Sequence, residues 1–378
     1  MKYFGLQGQI RKNNINTVIL LLLFPIVFYG LAWLFFFFFS IFSFDTKLSL
    51  HDVNRSFLLT VPWITIGVIV WFLIAWFSHT AIINSATNSK PLERKDNKRV
   101  YNLVENLCIS CGMEMPQVNI IEDDSLNAFA SGINTKTYAV SLSRGIIDKL
   151  KDDELEAVIA HELAHIRNRD VRLLIVSIVF VGIFGFVTEM LFRSMRYGRI
   201  GRGKKEGAGI LIALLLALVG YLLASLFRFA ISRKREYLAD AGGAVFTRYP
   251  EGLASALEVI AGNPGDKEKV SKATAPMYII NPLEAGQRSF SSLTSTHPPI
   301  EERVRILRSM GGGASYADYA AAWNKVDGPG KAKIPASALA EEKSKPRQAA
   351  RAAGAPEALG IPGVSEATLG AVAGMAKV

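Results

Sequence analysis

The chain has 378 residues, half of them hydrophobic, and carries a formal net charge of +10. This length is sufficient for more than one hydrophobic core, and a positive mean hydropathy is unusual for a soluble protein of this size. A basic chain can bind nucleic acid. Here, however, lysine and arginine crowd the ends of apolar runs, so we expect a lipid bilayer and not nucleic acid as a partner.

Four apolar runs divide the chain, and each has about the 20 residues that a helix needs to cross a bilayer. The charge of Glu189 is the only one within them. The first run is too long for a signal-peptide core and lacks a small-residue cleavage site, so it is expected to remain as an anchor. We predict four membrane-spanning helices, at residues 17–42, 58–77, 173–192 and 208–227.

The charges beside these runs predict the orientation of the helices. Lysine and arginine precede the first and third runs and follow the second and fourth. Because such residues accumulate on the cytoplasmic side of a membrane, we expect the N-terminus, residues 83–170 and everything after 232 to be cytoplasmic. The basic loop 193–207 disagrees, since four crossings place it outside. Either the other flanks outweigh it, or the last two runs form a hairpin that does not cross fully; we favour four crossings.

A segment without long apolar runs, residues 83–172, lies between the second and third runs. "RVYNLVENLCISCGM" has the apolar spacing of an amphipathic helix. "QVNIIEDDSLNAFASG" and "KTYAVSLSRG" predict short strands with alternating faces, separated by the turn residues "GIN". "KDDELEAVIAHELAHI" then predicts a helix, with Asp153 and Glu156 as a capping pair.

The two cysteines of the chain, Cys108 and Cys111, form a C-x-x-C pair. Such a pair can be a redox motif or half of a zinc site. The sequence has no second cysteine pair and no thioredoxin-like surroundings. We therefore predict two reduced thiols, one helical turn apart, in the cytoplasm.

The helix that ends the soluble segment carries "HELAH", residues 161–165. Residues four apart lie on one face of a helix, so His161 and His165 can direct both imidazoles at one cation. Glu162 can reach a water bound to that cation without coordinating it. Two ligands and a general base on one helix are typical of a zinc metalloprotease. The chemistry follows because zinc lowers the pKa of its water to roughly 7 and polarises a peptide carbonyl.

A catalytic zinc site needs a third protein ligand and an open position. In "SRKREYLADAGGA", Glu236 and Asp240 lie one helical turn apart, which suits a ligand and a carboxylate that orients a zinc-bound histidine. By spacing alone, such a pair is more often simply solvated. Two spans separate His165 from Glu236, so the chain returns to the side that it left. Both ligand sets lie within roughly 12–14 Å of their spans, which predicts a site at the membrane surface.

Composition and patterning divide the chain into five parts. Amphipathic helical patterns continue after the fourth run to about residue 310; thereafter alanine, glycine, proline, lysine and glutamate dominate. This last part cannot bury much surface, so a flexible or weakly helical tail is expected. The predicted parts are 1–82 with the first two spans, 83–172 and 228–310 as two catalytic segments, 173–227 as the hairpin of spans three and four, and 311–378 as the tail.

Four motifs, in order, resemble those of the HtpX family of bacterial membrane zinc metalloproteases, gluzincins related to the CAAX prenyl endoproteases. They are "LNAFASG" (126–132), "ELEAVIAHELAHIRNRD" (154–170), "SRKREYLADAGGA" (232–244) and "STHPPIEERVRIL" (295–307). The likeness covers residues 1–310, and the tail is a departure from the family pattern.

The resemblance implies one Zn²⁺ per chain. His161, His165 and Glu236 match the family's zinc ligands, and Glu162 matches its general base. These are the residues that the spacing of the two motifs also indicates.

The resemblance further implies residues that act around the metal. Asp240 would orient the first zinc histidine. His297, in "HPP", would stabilise the oxyanion of the tetrahedral intermediate, and Arg303 would support the same site. An edge strand that pairs with extended substrate would comprise Asn127, Ala128, Phe129 and Ala130.

The implied fold is mainly α-helical, with four transmembrane helices and a cytoplasmic zincin-like α+β catalytic domain that contains a small sheet. The implied function is quality control in the bacterial cytoplasmic (inner) membrane. There a multi-pass protein, with its active site facing the cytoplasm, would cut misfolded or damaged membrane proteins or other unfolded polypeptides. The alternatives are a membrane scaffold with a vestigial metal site and an endoprotease of prenylated C-termini. The complete catalytic set argues against the first, and the four-span count argues against the second.

Overall fold

A computed structural model describes residues 7–42, 49–197, 204–263, 277–279, 297–330, 334 and 339. In chain order the elements are α1 (Gln7–Phe42), α2 (Leu50–Thr87), β1 (Ser89–Pro91), α3 (Lys98–Cys111), β2 (Gln117–Ile121), β3 (Ala128–Ser131), β4 (Ala139–Ser143), α4 (Arg144–Lys149), α5 (Asp152–Arg167), α6 (Asp170–Tyr197), α7 (Lys204–Thr247), α8 (Pro250–Ala261), α9 (Ile300–Ser309) and α10 (Tyr316–Asp327).

Among the described residues, three helices are long and apolar enough to cross a membrane: Gly8–Phe42, Leu50–Thr87 and Asp170–Arg193. They contain the first three predicted spans. In the fourth, the apolar stretch with described side chains is Gly209–Leu223, which is shorter than a full span. The first three helices therefore meet the length and composition of a span, and the fourth crossing stays a prediction.

The membrane helices carry many large apolar side chains on their outer faces. Trp63 is 73% exposed and Phe77 is 78% exposed, and both lie in α2. Soluble proteins rarely expose a continuous apolar surface of this kind, so these faces suit contact with lipid.

Helices α1 and α2 are longer than a bilayer is thick. Their 36 and 38 residues correspond to about 54–57 Å at 1.5 Å per residue, against about 30 Å for the hydrocarbon core. The N-terminal end of α1 buries Asn13 and Thr17, and the C-terminal end of α2 buries Ile83 and Thr87. The two helices thus extend beyond their predicted spans and become part of the folded body that holds the site.

The sheet has four strands in the order β1-β2-β4-β3. β2 and β4 are parallel, and the other two pairs are antiparallel. The prediction of alternating faces is wrong, because every residue of β3 and β4 is buried. β4 lies between two strands, and helix α5 packs against both β3 and β4. Successive residues of these strands therefore do not alternate between buried and exposed.

The turn between β3 and β4 follows the prediction from "GIN". Gly132 has φ of +108°, in the region that favours glycine. A Cβ there would lie 2.3 Å from the carbonyl oxygen of Thr137. Only glycine therefore fits this close approach of the two strands.

The predicted helix over "KDDELEAVIAHELAHI" is confirmed as α5, but its predicted cap is wrong. The helix begins at Asp152, and the carboxylate of Glu154 accepts a hydrogen bond of 3.0 Å from the backbone N–H of Lys151. Glu154 also accepts a hydrogen bond from Ser255 in α8, 2.5 Å long. The cap is therefore formed by Glu154, the third residue of the helix, and not by the predicted pair. The apolar stripe of this helix is buried: Leu155, Val158, Ile159, Leu163 and Ile166.

Helix α7 joins the fourth apolar run to the segment that carries Glu236 without a break. Its 44 residues correspond to about 66 Å of continuous helix. The candidate metal ligand Glu236 and the fourth predicted span therefore lie on one continuous helix, as the helical pattern after the fourth run predicted.

The predicted tail begins later than residue 311. Residues 316–327 form α10, whose Tyr319 and Trp323 are buried. The rings of Tyr237 and Trp323 have centroids 4.0 Å apart. The prediction of a flexible tail is wrong for this helix, because Tyr319 and Trp323 are buried and Trp323 packs against Tyr237 of α7. Apart from Leu339, residues after 334 lie outside the described part of the chain, so the prediction for them stands untested.

Both cysteines are free thiols, buried in α3. Burial raises the pKa of Cys108 to about 12, and the neighbouring Cys111 contributes less to the same shift. The prediction of reduced thiols in the cytoplasm stays a prediction, but a thiol with so high a pKa is a poor nucleophile.

Candidate metal centre

Helix α5 directs the polar side chains of "HELAH" into the protein interior. His161 is fully buried, Glu162 is 2% exposed, and the side chain of His165 is 14% exposed. The imidazole rings of His161 and His165 have centroids 4.8 Å apart and are inclined at 89°. Buried polar groups cost free energy unless they have partners, so the partners of these side chains define the site.

Helix α7 brings Glu236 against both imidazoles. Its Oε2 lies 3.6 Å from Nε2 of His161, and its Oε1 lies 3.4 Å from Nε2 of His165. Two ligands at about 2.1 Å from a tetrahedral ion are about 3.4 Å apart. The ligand atoms of the three residues all lie within 4.8 Å of one another. The spacing therefore fits one metal ion, and these residues could hold it.

Two further carboxylates lie against the opposite ring nitrogens. Nδ1 of His161 is 3.1 Å from Oδ1 of Asp240, and Nδ1 of His165 is 3.2 Å from Oδ2 of Asp170. A carboxylate at Nδ1 keeps the proton on that nitrogen and leaves the lone pair on Nε2. Both Nε2 atoms face Glu236, which is the arrangement that metal ligation through Nε2 requires.

Asp170 is a site residue that the sequence analysis missed. It is 1% exposed and lies at the start of α6, five residues after His165. The sequence did contain a signal for it. Asp170 is the last residue of the motif "HELAHIRNRD", which the sequence analysis quoted without assigning this carboxylate a role.

Arg303 holds Asp240 from the far side. Its Nε and Nη2 donate to the two carboxylate oxygens of Asp240 at 2.9 and 2.7 Å, and neither side chain is exposed. Charge-assisted pairs of this two-bond geometry fix both partners in orientation. The structure therefore connects α9, through Arg303 and Asp240, to the imidazole of His161.

His297 lies beside the three candidate ligands. Its Nδ1 is 3.0 Å from Oε2 of Glu236, and its side chain is 11% exposed. The structure thus brings this loop histidine, which local sequence did not distinguish, to the same cavity as His161 and His165.

Glu162 shares that cavity and faces strand β3. Its carboxylate accepts a hydrogen bond from the backbone N–H of Ala130. Burial raises the pKa of Glu162, although the charges of His161 and His165 oppose the shift. A carboxylate with a raised pKa is a stronger base, and this one is held beside strand β3.

The charges of the cluster favour a bound cation. Burial would raise the pKa of Glu236, but His297 and His165 hold it well below its ordinary value. Burial would also lower the pKa values of both motif histidines, but the neighbouring carboxylates raise them, Asp240 foremost for His161 and Glu236 for His165. Protons therefore compete with a metal for the Nε2 atoms, and metal binding weakens as the pH falls.

The predicted substrate strand is at the edge of the sheet, but part of that edge is already paired. Residues 128–131 form β3, the last strand in the order. The backbone N–H of Ile279 donates to the carbonyl of Ala128 at 3.0 Å, and the ring of Tyr278 packs on Phe129 with centroids 5.3 Å apart. The remaining cavity has about 30 Å³, room for roughly one water. A peptide that pairs along the whole strand would have to displace Ile279.

Comparison with known proteins gives consistent similarities. The profile of Peptidase family M48 matches residues 94–311. The chain is 50% identical over 322 residues to a Protease HtpX homolog of Bacteroides fragilis, which covers 82% of this chain and 100% of that protein. It is 44% identical over 254 residues to a Protease HtpX homolog of Dictyoglomus turgidum, covering 65% of this chain and 83% of that protein. The crystal structure of S. mikatae Ste24p has a TM-score of 0.38 and 20% identity over 78% of this chain and 65% of that chain, and no conclusion rests on that likeness.

Proposed function

The chain belongs to the HtpX proteases of peptidase family M48 and is therefore a membrane metalloprotease, and from this membership and the site geometry we propose that it is a zinc-dependent endopeptidase. The observation that carries the proposal is the convergence of the Nε2 atoms of His161 and His165 on the carboxylate of Glu236. Two imidazoles and one carboxylate in a tetrahedral spacing are ligands that suit zinc. When bound, zinc supplies a Lewis acid that polarises the scissile carbonyl and lowers the pKa of the attacking water.

The protein's own groups then move the protons. Glu162, buried and with a raised pKa, takes the proton of the attacking water and delivers it to the leaving amine. His297, beside Glu236 at the cavity wall, donates to the oxyanion that forms at the scissile carbonyl. Asp240 and Arg303 keep the imidazole of His161 in place.

Backbone pairing supports a polypeptide substrate. The N–H of Ala130 already reaches Glu162. An extended peptide beside Ala130 would thus bring a peptide bond to the general base by main-chain contacts, which need no particular side-chain sequence. Such contacts suit unfolded polypeptides, and the membrane helices beside the site suit damaged or misfolded membrane proteins.

The cellular setting is proposed from the same features. Basic flanks favour a site on the cytoplasmic side of the bacterial inner membrane, with a fourth crossing proposed within α7. Its action there would be quality control of membrane proteins, and relatives named as HtpX homologs support this setting.

The experiment that tests the proposal is cleavage of casein by the detergent-purified, zinc-loaded full chain. Glu162→Gln removes the base while keeping the volume, so we expect unchanged zinc content and a rate at least about 100-fold lower. Glu156→Gln, on the same helix but outside the cavity lining, is the matched control and should keep the wild-type rate. A chelator should abolish wild-type cleavage.

The other outcomes distinguish the alternatives. Undiminished cleavage by Glu162→Gln would remove this residue from the mechanism. Bound zinc without any cleavage by the wild type would favour the scaffold with a vestigial site. Cleavage of a prenylated C-terminal peptide, and not of casein, would favour the prenyl-protein alternative.

A further inference from the structure

The first membrane helix reaches the metal centre through one side chain. Asn13 lies near the N-terminal end of α1 and is 2% exposed. Its Nδ2 donates to the carbonyl of Asn168 at 2.7 Å and to Oδ1 of Asp170 at 2.6 Å. The other carboxylate oxygen of Asp170 lies 3.2 Å from Nδ1 of His165. A continuous path of polar contacts therefore joins α1 to a candidate metal ligand 152 positions further along the chain.

The connection between α5 and α6 depends on the same end of α1. Arg169 has φ of +59°, a left-handed conformation that is uncommon for a residue with a side chain. Its Nη1 donates to Oδ1 of Asn14 at 3.2 Å. Asn13 and Asn14 thus contact the two residues that connect α5 to α6, Asn168 and Arg169. This connection sets where Asp170 stands relative to His165.

Each motif histidine therefore has a carboxylate, and each carboxylate has its own donor. Asp240 beside His161 is held by Arg303 from α9. Asp170 beside His165 accepts from Asn13 of α1. Loss of such outer partners typically weakens metal affinity or activity by about 10- to 100-fold, because the ligand ring is no longer held in its orientation.

We propose that Asn13 is a positioning residue of the metal centre, which makes the first membrane helix a structural part of the active site. This inference rests on the proposed function for the identity of the metal. Asn13 itself does not touch the metal or the substrate. It acts by holding Asp170, which fixes the ring of His165.

The test compares three variants of the detergent-purified full chain. Asn13→Ala removes the donor, and Asn13→Leu removes it while keeping about the same side-chain volume. Thr17→Val is the control: Thr17 is buried one turn later on α1, and its hydroxyl donates to the backbone carbonyl of Asn13. The primary measurement is the zinc dissociation constant, obtained by competition with a chromogenic chelator.

We expect both Asn13 variants to bind zinc about 10- to 100-fold more weakly and Thr17→Val to bind like the wild type. The visible absorption of the Co²⁺-loaded protein should change in the Asn13 variants, since it reports ligand geometry and not general stability. Wild-type zinc affinity in either folded Asn13 variant would overturn the proposal.

A double-mutant cycle shows whether Asn13 acts through Asp170. If it does, Asn13→Ala combined with Asp170→Asn binds zinc no more weakly than Asp170→Asn alone. If the two substitutions weaken zinc binding by factors that multiply, Asn13 does not act through Asp170, which would contradict the proposal.

The affinity measurement also separates this inference from the proposed function. A wild type that binds zinc and cleaves nothing would contradict the proposed protease function. The zinc dissociation constants of the variants would still test the role of Asn13. A wild type that binds no zinc would overturn both.

Discussion

Asp240 contacts both a candidate metal ligand, His161, and a buried cation, Arg303. Its Oδ1 is 3.1 Å from Nδ1 of His161, and Arg303 donates to both of its oxygens. A buried ion pair adds little net stability when intact, but removal of one partner leaves a charge without compensation. Glu236, 3.9 Å from Nη1 of Arg303, is too far away to replace the two hydrogen bonds.

We expect Asp240→Ala to reduce both stability and metal binding. The unpaired Arg303 should lower the free energy of unfolding by about 3–5 kcal/mol, and zinc affinity should fall by about 10- to 100-fold. Asp240→Ala combined with Arg303→Met removes both charges, so it should recover most of the stability and none of the affinity. Urea denaturation in detergent and chelator competition measure the two effects. A double variant as unstable as the single one would show that the buried charge is not the cause.

At the scale of elements, the site depends on how closely α5 and α7 approach. Gly242 and Gly243 of α7 lie against α5. A Cβ on Gly242 would meet the Cβ of Ala164 at 2.7 Å, and one on Gly243 would meet the backbone N of His161 at 3.3 Å. Small residues let two helices pack closely, and this contact sets the distance between the histidines of α5 and Glu236 of α7.

We expect Gly242→Ala to separate the two helices and impair the metal centre. The overpacking should cost about 1–3 kcal/mol, and zinc affinity should fall with it. Ala164→Gly in the same chain removes the closest contact and should restore affinity in part, since the hydroxyl of Tyr316 also lies 3.3 Å from the added Cβ. Gly262→Ala, where the nearest atom is 3.5 Å away, is the matched control. Equal zinc affinity in Gly242→Ala and Gly262→Ala would contradict this role of the contact.

At the scale of the whole molecule, membrane helices and metal centre form one body. α7 carries a predicted span and Glu236 in one helix, α6 begins at Asp170, and α1 supplies Asn13. The catalytic segments are therefore not a soluble domain on a linker. We therefore expect a peptide to reach the site along or beside the bilayer.

We expect a topology of four crossings, and single-cysteine labelling can test it. Cys108 and Cys111 are buried, so they should not react with a membrane-impermeant maleimide in the folded protein. Arg193→Cys, at the exposed end of the third apolar run, should be labelled in intact cells, and Lys136→Cys, exposed in the catalytic segment, only after permeabilisation. Protection of Arg193→Cys until permeabilisation would favour the hairpin that does not cross.

The sequence by itself determined the local elements, the family and most of the site. The apolar runs, the helix of "HELAH" and the glycine turn follow from periodicity and backbone sterics, which act over a few residues. His161, Glu162 and His165 were predicted from the spacing of one motif. Glu236 was predicted from its pairing with Asp240 together with the two spans that return the chain to the same side. His297 and Arg303 required the resemblance, because a histidine or arginine in a loop or short helix has no local signature.

Only the tertiary structure decided which distant groups meet. Glu154, which caps α5, also accepts a hydrogen bond from Ser255 of α8, and Trp323 of α10 packs on Tyr237 of α7. Asp170 and Asn13 join the metal centre through contacts across more than 150 residues. Such contacts depend on how helices pack in three dimensions, and a contact between two distant residues has no local signature in the chain.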